Sequence, residues 1–124
     1  MQTWTLFVPV AQNEQINSNH RIHHHKRANM TRALRQRART LAEANNAPAL
    51  LPRVEVNAYV IRPSNHRYDP GNLYPTAKAI VDGLVDAGLV EDDDYHHVEG
   101  PFLRHDSINP HNPGMRIEIK ELPA

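Results

Sequence analysis

The clearest strand signal in the chain is the run VEVNAYVI at residues 54–61. Its apolar residues alternate with polar or aromatic ones, and a period of two is typical of a strand with one face in a core. The stretch that follows, residues 62–71, contains Pro63, Pro70 and Gly71 and is predicted to be a loop. We therefore expect a strand that ends near Ile61 and leads through a loop into the next element.

A helix is predicted directly after that loop, over residues 73–87. Its apolar residues recur every three to four positions: Leu73, Ala77, Ile80, Leu84 and Ala87. Pro75 falls in the first turn, where the missing amide donor would have no intrahelical partner anyway. Gly88 is in the right place to cap the carboxyl end.

Toward the amino end, residues 3–8 alternate as a first strand, and residues 12–29 have no usable period and are predicted to be an exposed loop. A helix is expected over residues 29–45, with Asn29 as its N-cap. Toward the carboxyl end we expect a weak strand over residues 95–104 and a final strand over residues 115–120. The predicted order is β-α-β-α-β-β.

This order predicts an α+β fold in a single domain, residues 1–124, with two helices and a four-stranded mixed sheet. The chain has 124 residues, 40% of them hydrophobic, and no cysteine, which excludes disulfides, thiolate metal sites and a cysteine nucleophile. No stretch resembles an export signal or a membrane span, so we expect a cytoplasmic protein with no membrane partner.

The charges are segregated along the chain although the net charge is zero. Seven of the fourteen bases lie within residues 21–39 with no acid among them, and seven of the fourteen acids lie within residues 82–99 with no base. A basic block suits a polyanion such as nucleic acid, and an acidic block suits a hard cation. The alternative is that two solvated faces simply neutralise each other.

The densest motifs lie in three strings: RYDPGNL at residues 67–73, KAIVDGL at 78–84 and AGLVEDD at 87–93. Together they resemble the signature of the RusA-like crossover-junction endonucleases, small dimeric enzymes often carried by phages and prophages. The family pattern is an Asp-x-Asp-Asn-Leu turn, a helix with Lys-x-x-x-Asp, an Ala-Gly helix end and an Asp-Asp pair. The resemblance implies a magnesium-dependent endonuclease that resolves Holliday junctions as a homodimer, in a bacterial or phage-infected cell.

The resemblance also implies roles for single residues. Asp69 matches the first metal-binding aspartate, Asp93 the aspartate after the helix and Lys78 the functional lysine, with acidic neighbours at Asp82 and Asp92. The implied catalytic residues are Asp69, Lys78, Asp93 and Asp92, and the implied ligands of Mg²⁺ or Mn²⁺ are Asp69, Asp93, Asp82 and Asp94. A fifteen-residue helix is roughly 22 Å long, so Asp69 and Asp93 can meet only if the chain turns back after the helix.

One member of the family pattern is missing, because Gly71 stands where the family has its second aspartate. Asp94, Glu91 or a partner subunit could replace that carboxylate. If nothing does, the alternative is a catalytically impaired protein of the same fold that binds branched DNA.

The predicted DNA-binding residues are basic, with one amide. Arg32, Arg35 and Arg39 are spaced to form a stripe on the first helix. The complete set is Arg21, Lys26, Arg27, Arg32, Arg35, Arg39 and Asn72. A more distant alternative is a metal site formed by the histidines at positions 20 and 23–25.

Overall fold

The computed structural model describes residues 1–124 and contains two α-helices and four β-strands. The elements are β1 (Thr3–Pro9), α1 (His24–Ala44), β2 (Arg53–Arg62), α2 (Tyr74–Asp86), β3 (Val98–Ile108) and β4 (Gly114–Leu122). Short 3-10 helices lie at Gln12–Glu14 and Pro70–Leu73. The predicted α+β class and the order β-α-β-α-β-β are confirmed. Neither α-helix has the length and apolar character that crossing a bilayer requires.

The four strands form one mixed sheet in the order β1-β4-β2-β3. Strand β4 runs antiparallel to both of its neighbours, so that Ile119 lies opposite Trp4 on one side and Val56 on the other. Strand β3 is parallel to β2. The last strand in the chain is therefore an inner strand of the sheet.

The core lies between one face of the sheet and the two helices. Alternate residues of the strands are buried there together with the apolar sides of α1 and α2. The helices approach each other closely at Gly83, where an added Cβ would lie 2.2 Å from the backbone oxygen of Arg35. The absence of a side chain at Gly83 therefore lets α1 and α2 come into direct contact.

Helix α1 begins earlier than predicted. It starts at His24 rather than after Asn29, and the ring of His23 caps it by accepting a hydrogen bond from the amide of His25 at 3.2 Å. The first turns are exposed and polar, so they carry no apolar period that could have indicated a helix. As a consequence Lys26 and Arg27 lie on the helix and not in a loop.

The segment before α1 is also more ordered than an exposed loop. Ile16 is fully buried, and its backbone exchanges two hydrogen bonds with the hydroxyl of Thr76, at 2.8 and 3.0 Å. The amide of Ser18 donates to the carbonyl of Asn72 at 2.9 Å. These bonds fix residues 16–18 against the amino end of α2.

Helix α2 matches its prediction closely. Pro75 lies in the first turn, and Gly88 follows the helix with φ +96°, a conformation that favours glycine. The amide of Leu89 then bonds to the carbonyl of Leu84 at 3.1 Å and closes the helix end. Strand β3 begins at Val98 rather than near Tyr95, because residues 94–97 form a hydrogen-bonded turn.

Candidate active site

The centre of the candidate site is a contact between one lysine and two carboxylates. Nζ of Lys78 donates to Oδ1 of Asp82 at 2.6 Å and to Oδ2 of Asp93 at 2.7 Å. Lys78 and Asp82 are one turn apart on α2, whereas Asp93 comes from the loop after the helix. That loop returns along α2, and this return, rather than the predicted strand, brings Asp93 to the helix. We call Lys78, Asp82, Asp92 and Asp93 the Lys78 cluster.

The electrostatics of the Lys78 cluster follow from these contacts. The hydrogen bond and the positive charge of Lys78 lower the pKa of Asp93 to about 2. Burial opposes the charged form of Lys78, but its bonds to Asp82 and Asp93 outweigh that effect and raise its pKa. The carboxylate of Asp92 accepts the amide of Asp93 at 2.7 Å. The cluster is thus an ion network that keeps Asp93 ionised well into the acidic range.

Asp69 is not a member of this cluster. It caps the 3-10 helix Pro70–Leu73, where Oδ1 accepts the amide of Gly71 at 2.9 Å. No hydrogen bond or ion pair joins it to Lys78 or to Asp93. The structure therefore brings together three of the four implied catalytic residues, Lys78, Asp92 and Asp93, and places Asp69 in a separate cavity.

Asp94 and Glu91, the two nearby acids that could replace the missing aspartate, have other surroundings. Oδ1 of Asp94 accepts the amide of His96 at 3.0 Å and contacts Nδ1 of His97 at 2.6 Å, and the bond to His97 lowers the pKa of Asp94. The side chain of Glu91 is 88% exposed and comes no closer than 3.9 Å to His97. Neither carboxylate contacts the Lys78 cluster.

The structure gathers no set of three or more histidine or acidic side chains that could hold a metal ion. The rings of His23, His24 and His25 instead stack on one another, with centroids 4.1 to 5.2 Å apart.

One arginine of α1, Arg35, forms an ion pair with an aspartate of α2. Arg35 forms a two-point ion pair with Asp86 of α2, with N–O distances of 2.5 and 2.7 Å, which lowers the pKa of Asp86. Arg35 and Asp86 border a cavity of about 260 Å³ together with Asp82, Asp92 and Asp93. For Arg35, the alternative in which the basic and acidic segments neutralise each other therefore holds, because its charge is paired with that of Asp86.

The other bases of residues 21–39 divide into two groups. Arg37 is paired with Glu14 and Arg39 with Glu43. Arg21, Lys26, Arg27 and Arg32 have no carboxylate partner. An open groove runs along this end of α1, and we call it the α1 groove; its lining residues are His24, Arg27, Ala28, Thr31, Arg32 and Arg35. Because Arg35 lines both this groove and the acidic cavity, the α1 groove adjoins the Lys78 cluster.

Sequence reasoning missed a buried arginine. Arg62 ends strand β2, is only 7% exposed and lines a cavity of about 400 Å³ that also includes Asp69 and Asn72. We call this the Arg62 cavity. The signal was present in the sequence, because Arg62 continues the inward-facing series 54, 56, 58 and 60 of the same strand.

Comparison with protein-family models finds no match for the chain, and comparison with curated proteins finds no significant match either.

Proposed function

We propose that this chain is a RusA-like, magnesium-dependent endonuclease that cuts four-way or otherwise branched DNA in recombination and repair. The observation that supports it most is the double contact of Lys78 with Asp82 and Asp93 beside the α1 groove. An acidic cluster with a lysine, reached from a basic surface, is the arrangement that cleavage of a phosphodiester needs.

The proposed metal ligands agree with Mg²⁺ in their chemistry. Asp82 and Asp93 present carboxylate oxygens to one point, at present bridged by the ammonium of Lys78, and oxygen is the donor that Mg²⁺ prefers. We propose Asp93 and Asp82 as the holders of the ion. When bound, Mg²⁺ supplies charge stabilisation at the phosphate and lowers the pKa of a bound water.

The residues of the chain itself have two proposed tasks. Lys78 neutralises negative charge on the scissile phosphate or on the leaving oxygen, since its ammonium lies directly beside the two carboxylates that are proposed to hold the ion. The bases of the α1 groove hold the DNA backbone through its phosphates. Such contacts recognise the shape of a junction without reading its sequence.

The proposal includes a homodimer. A four-way junction has two equivalent strands to cut, and a two-fold symmetric dimer presents two equivalent sites. Light scattering coupled to size exclusion, at the concentration used for cleavage, tests this part directly. A monomer that nonetheless makes paired symmetric nicks would contradict it.

The main experiment incubates the purified protein with a synthetic four-way junction, a matched linear duplex and a single strand, each with Mg²⁺ and with EDTA. The expected result is paired symmetric nicks in the junction, with Mg²⁺ only. The variant Asp93→Asn should not cut. Asp106→Asn is the matched control. Asp106 lies near the end of β3 and, like Asp93, is an ion-paired aspartate, in its case with Arg116 of β4. This variant should cut the junction as the wild type does.

A second candidate is a protein of this fold that binds branched DNA without cutting it. Two observations favour it: Gly71 replaces an expected aspartate, and Asp69 lies outside the Lys78 cluster. Junction binding that needs the α1 groove, with no nicking in Mg²⁺ or Mn²⁺, would support this candidate over the nuclease.

A further inference from the structure

The Arg62 cavity contains a buried positive charge that its surroundings do not balance. The Nε of Arg62 is buried and has no hydrogen-bond partner, and the only hydrogen bond of the guanidinium is a long one, 3.4 Å from Nη1 to Oε1 of Gln15. No ion pair joins Arg62 to an acidic residue. The guanidinium also lies over the ring of Tyr68, with its carbon 4.2 Å from the ring centroid. A buried charge in this condition is costly unless another group compensates it.

The lining of the cavity suits an anion with many acceptor atoms. Of its eleven lining residues only Tyr68 is hydrophobic, and nine of the others supply amide, imidazole or guanidinium groups. Arg62 and Arg67 carry positive charge, and Asp69 is the single acid. The volume of about 400 Å³ lies within the range of roughly 300–1,000 Å³ usual for small-molecule sites.

The walls of the cavity are fixed before any ligand arrives. The bonds between Ile16 and Thr76 anchor one wall to α2, and the bond from Ser18 to Asn72 anchors its rim. Tyr68, another lining residue, contacts the guanidinium of Arg62 and forms a hydrogen bond with His105 of β3. A site that does not have to reorganise loses less binding energy to ordering.

We infer that the Arg62 cavity is a phosphate-binding site, with the guanidinium of Arg62 as its anchor and Arg67 as a second cation at its mouth. Guanidinium is the side chain that matches phosphate oxygens with paired N–H donors. The phosphate could belong to the end of a DNA strand or to its backbone. The site is separate from the Lys78 cluster and needs neither metal nor cleavage, so it does not depend on the proposed nuclease function.

The test titrates ¹⁵N-labelled protein in EDTA with inorganic phosphate and follows the Nε–H signal of Arg62 by NMR. The expected result is a saturable shift of that signal. Arg67→Gln should weaken binding about tenfold, because an exposed charge-assisted contact is lost. Asp69→Asn should tighten binding severalfold, because it removes the one negative charge of the lining. Lys120→Gln, which removes an exposed positive charge on β4 outside the cavity, is the matched control and should bind as the wild type does.

Both informative variants change exposed side chains, so the test does not depend on a variant of the buried Arg62 folding. No saturable shift, or identical affinities for wild type, Arg67→Gln and Asp69→Asn, would overturn the proposal. A 5′-phosphorylated dinucleotide and its unphosphorylated form then distinguish the source. If the phosphorylated form binds more tightly, the cavity binds the terminal phosphate of a strand. If both forms bind equally, the cavity binds a backbone phosphodiester.

Discussion

Nζ of Lys78 lies 2.7 Å from Oδ2 of Asp93, although the two are fifteen residues apart in the chain. The contact is made by the loop after α2, which returns to the second turn of the helix. It joins a carboxylate of that loop to a carboxylate of the helix through one ammonium group. Any change to either residue therefore alters the charge of the whole Lys78 cluster.

The first prediction concerns the two aspartates that the family resemblance selects. Asp93→Asn should abolish junction cleavage and leave binding intact or slightly tighter, since it removes a metal-binding carboxylate and also a charge that repels phosphate. Asp69→Asn should cut more nearly as the wild type does, because Asp69 lies outside the Lys78 cluster. Single-turnover nicking and gel-shift titration measure the two effects, and near-normal nicking by Asp93→Asn would contradict the proposed site.

The second prediction concerns stability at low pH. The pKa of Asp93 is lowered from an ordinary value of 3.8 to about 2 in the folded state. Its contact with Lys78 therefore stabilises the fold above pH 3.8, and this contribution is lost as the pH falls toward about 2. Both side chains are partly exposed, so the effect should be below about 1 kcal/mol.

Urea unfolding on either side of pH 3.8 measures this effect. In Lys78→Met the free energy of unfolding should fall less on acidification than in the wild type. Lys120→Met, an exposed lysine whose nearest carboxylate oxygens are 3.7 and 3.8 Å away, is the control. If the free energy of unfolding falls equally on acidification in Lys78→Met and in the wild type, Lys78 does not set the pKa of Asp93.

The third prediction separates the bases of α1 by whether they are already paired. Arg27→Gln and Arg32→Gln should each reduce the slope of log affinity against log salt by about 0.9 on duplex arms, if each contacts one phosphate. Arg39→Gln should have a smaller effect, because Glu43 already neutralises Arg39. Fluorescence anisotropy over a salt series measures the slopes, and unchanged slopes for Arg27→Gln and Arg32→Gln would place the DNA surface elsewhere.

The fourth prediction concerns Gly71. Its backbone is not in the left-handed region, so an aspartate causes no strain there, but the new Cβ would lie 3.3 Å from Oδ1 of Asp69. Because Gly71 and Asp69 lie outside the Lys78 cluster, Gly71→Asp should leave nicking at limiting Mg²⁺ unchanged, and it should lower stability in EDTA through repulsion between the new carboxylate and Asp69. Nicking over a Mg²⁺ titration and thermal unfolding in EDTA measure both.

Two companion variants decide whether another acid already fills the missing position. Asp94→Asn and Glu91→Gln should leave nicking unchanged, because neither carboxylate contacts the Lys78 cluster. Loss of nicking in Asp94→Asn or in Glu91→Gln would identify that residue as the acid that takes the place of the missing aspartate.

The fold was predictable where local patterns carry the information. The alternation of β2 and the period of α2 both reflect burial of one face, and Pro75 and Gly88 mark the ends of α2 through backbone chemistry. The start of α1 was not predictable, because His24 and the residues after it face solvent and need no apolar spacing. The burial of Ile16 depends on Thr76, sixty residues away, and no local pattern reports such a contact.

The candidate site was predictable in its composition but not in its arrangement. The strings around Lys78 and Asp93 select residues that the structure does bring together. The separation of Asp69 from them depends on how the loops at each end of α2 are folded, which spacing along the chain does not determine. The burial of Arg62 is hard to predict because a charged residue beside Pro63 favours an exposed loop, although its register in β2 places it inside.

The position of β4 has a consequence for how the polypeptide folds as it is synthesised. Because β4 lies between β1 and β2, the sheet has a gap until residues 114–122 have left the ribosome, and β1 has no partner strand before then. Pairings between such distant segments favour slow folding with exposed edges in the meantime. We expect nascent chains stalled before residue 114 to remain sensitive to protease, and chains that include the whole of β4 to become resistant once released.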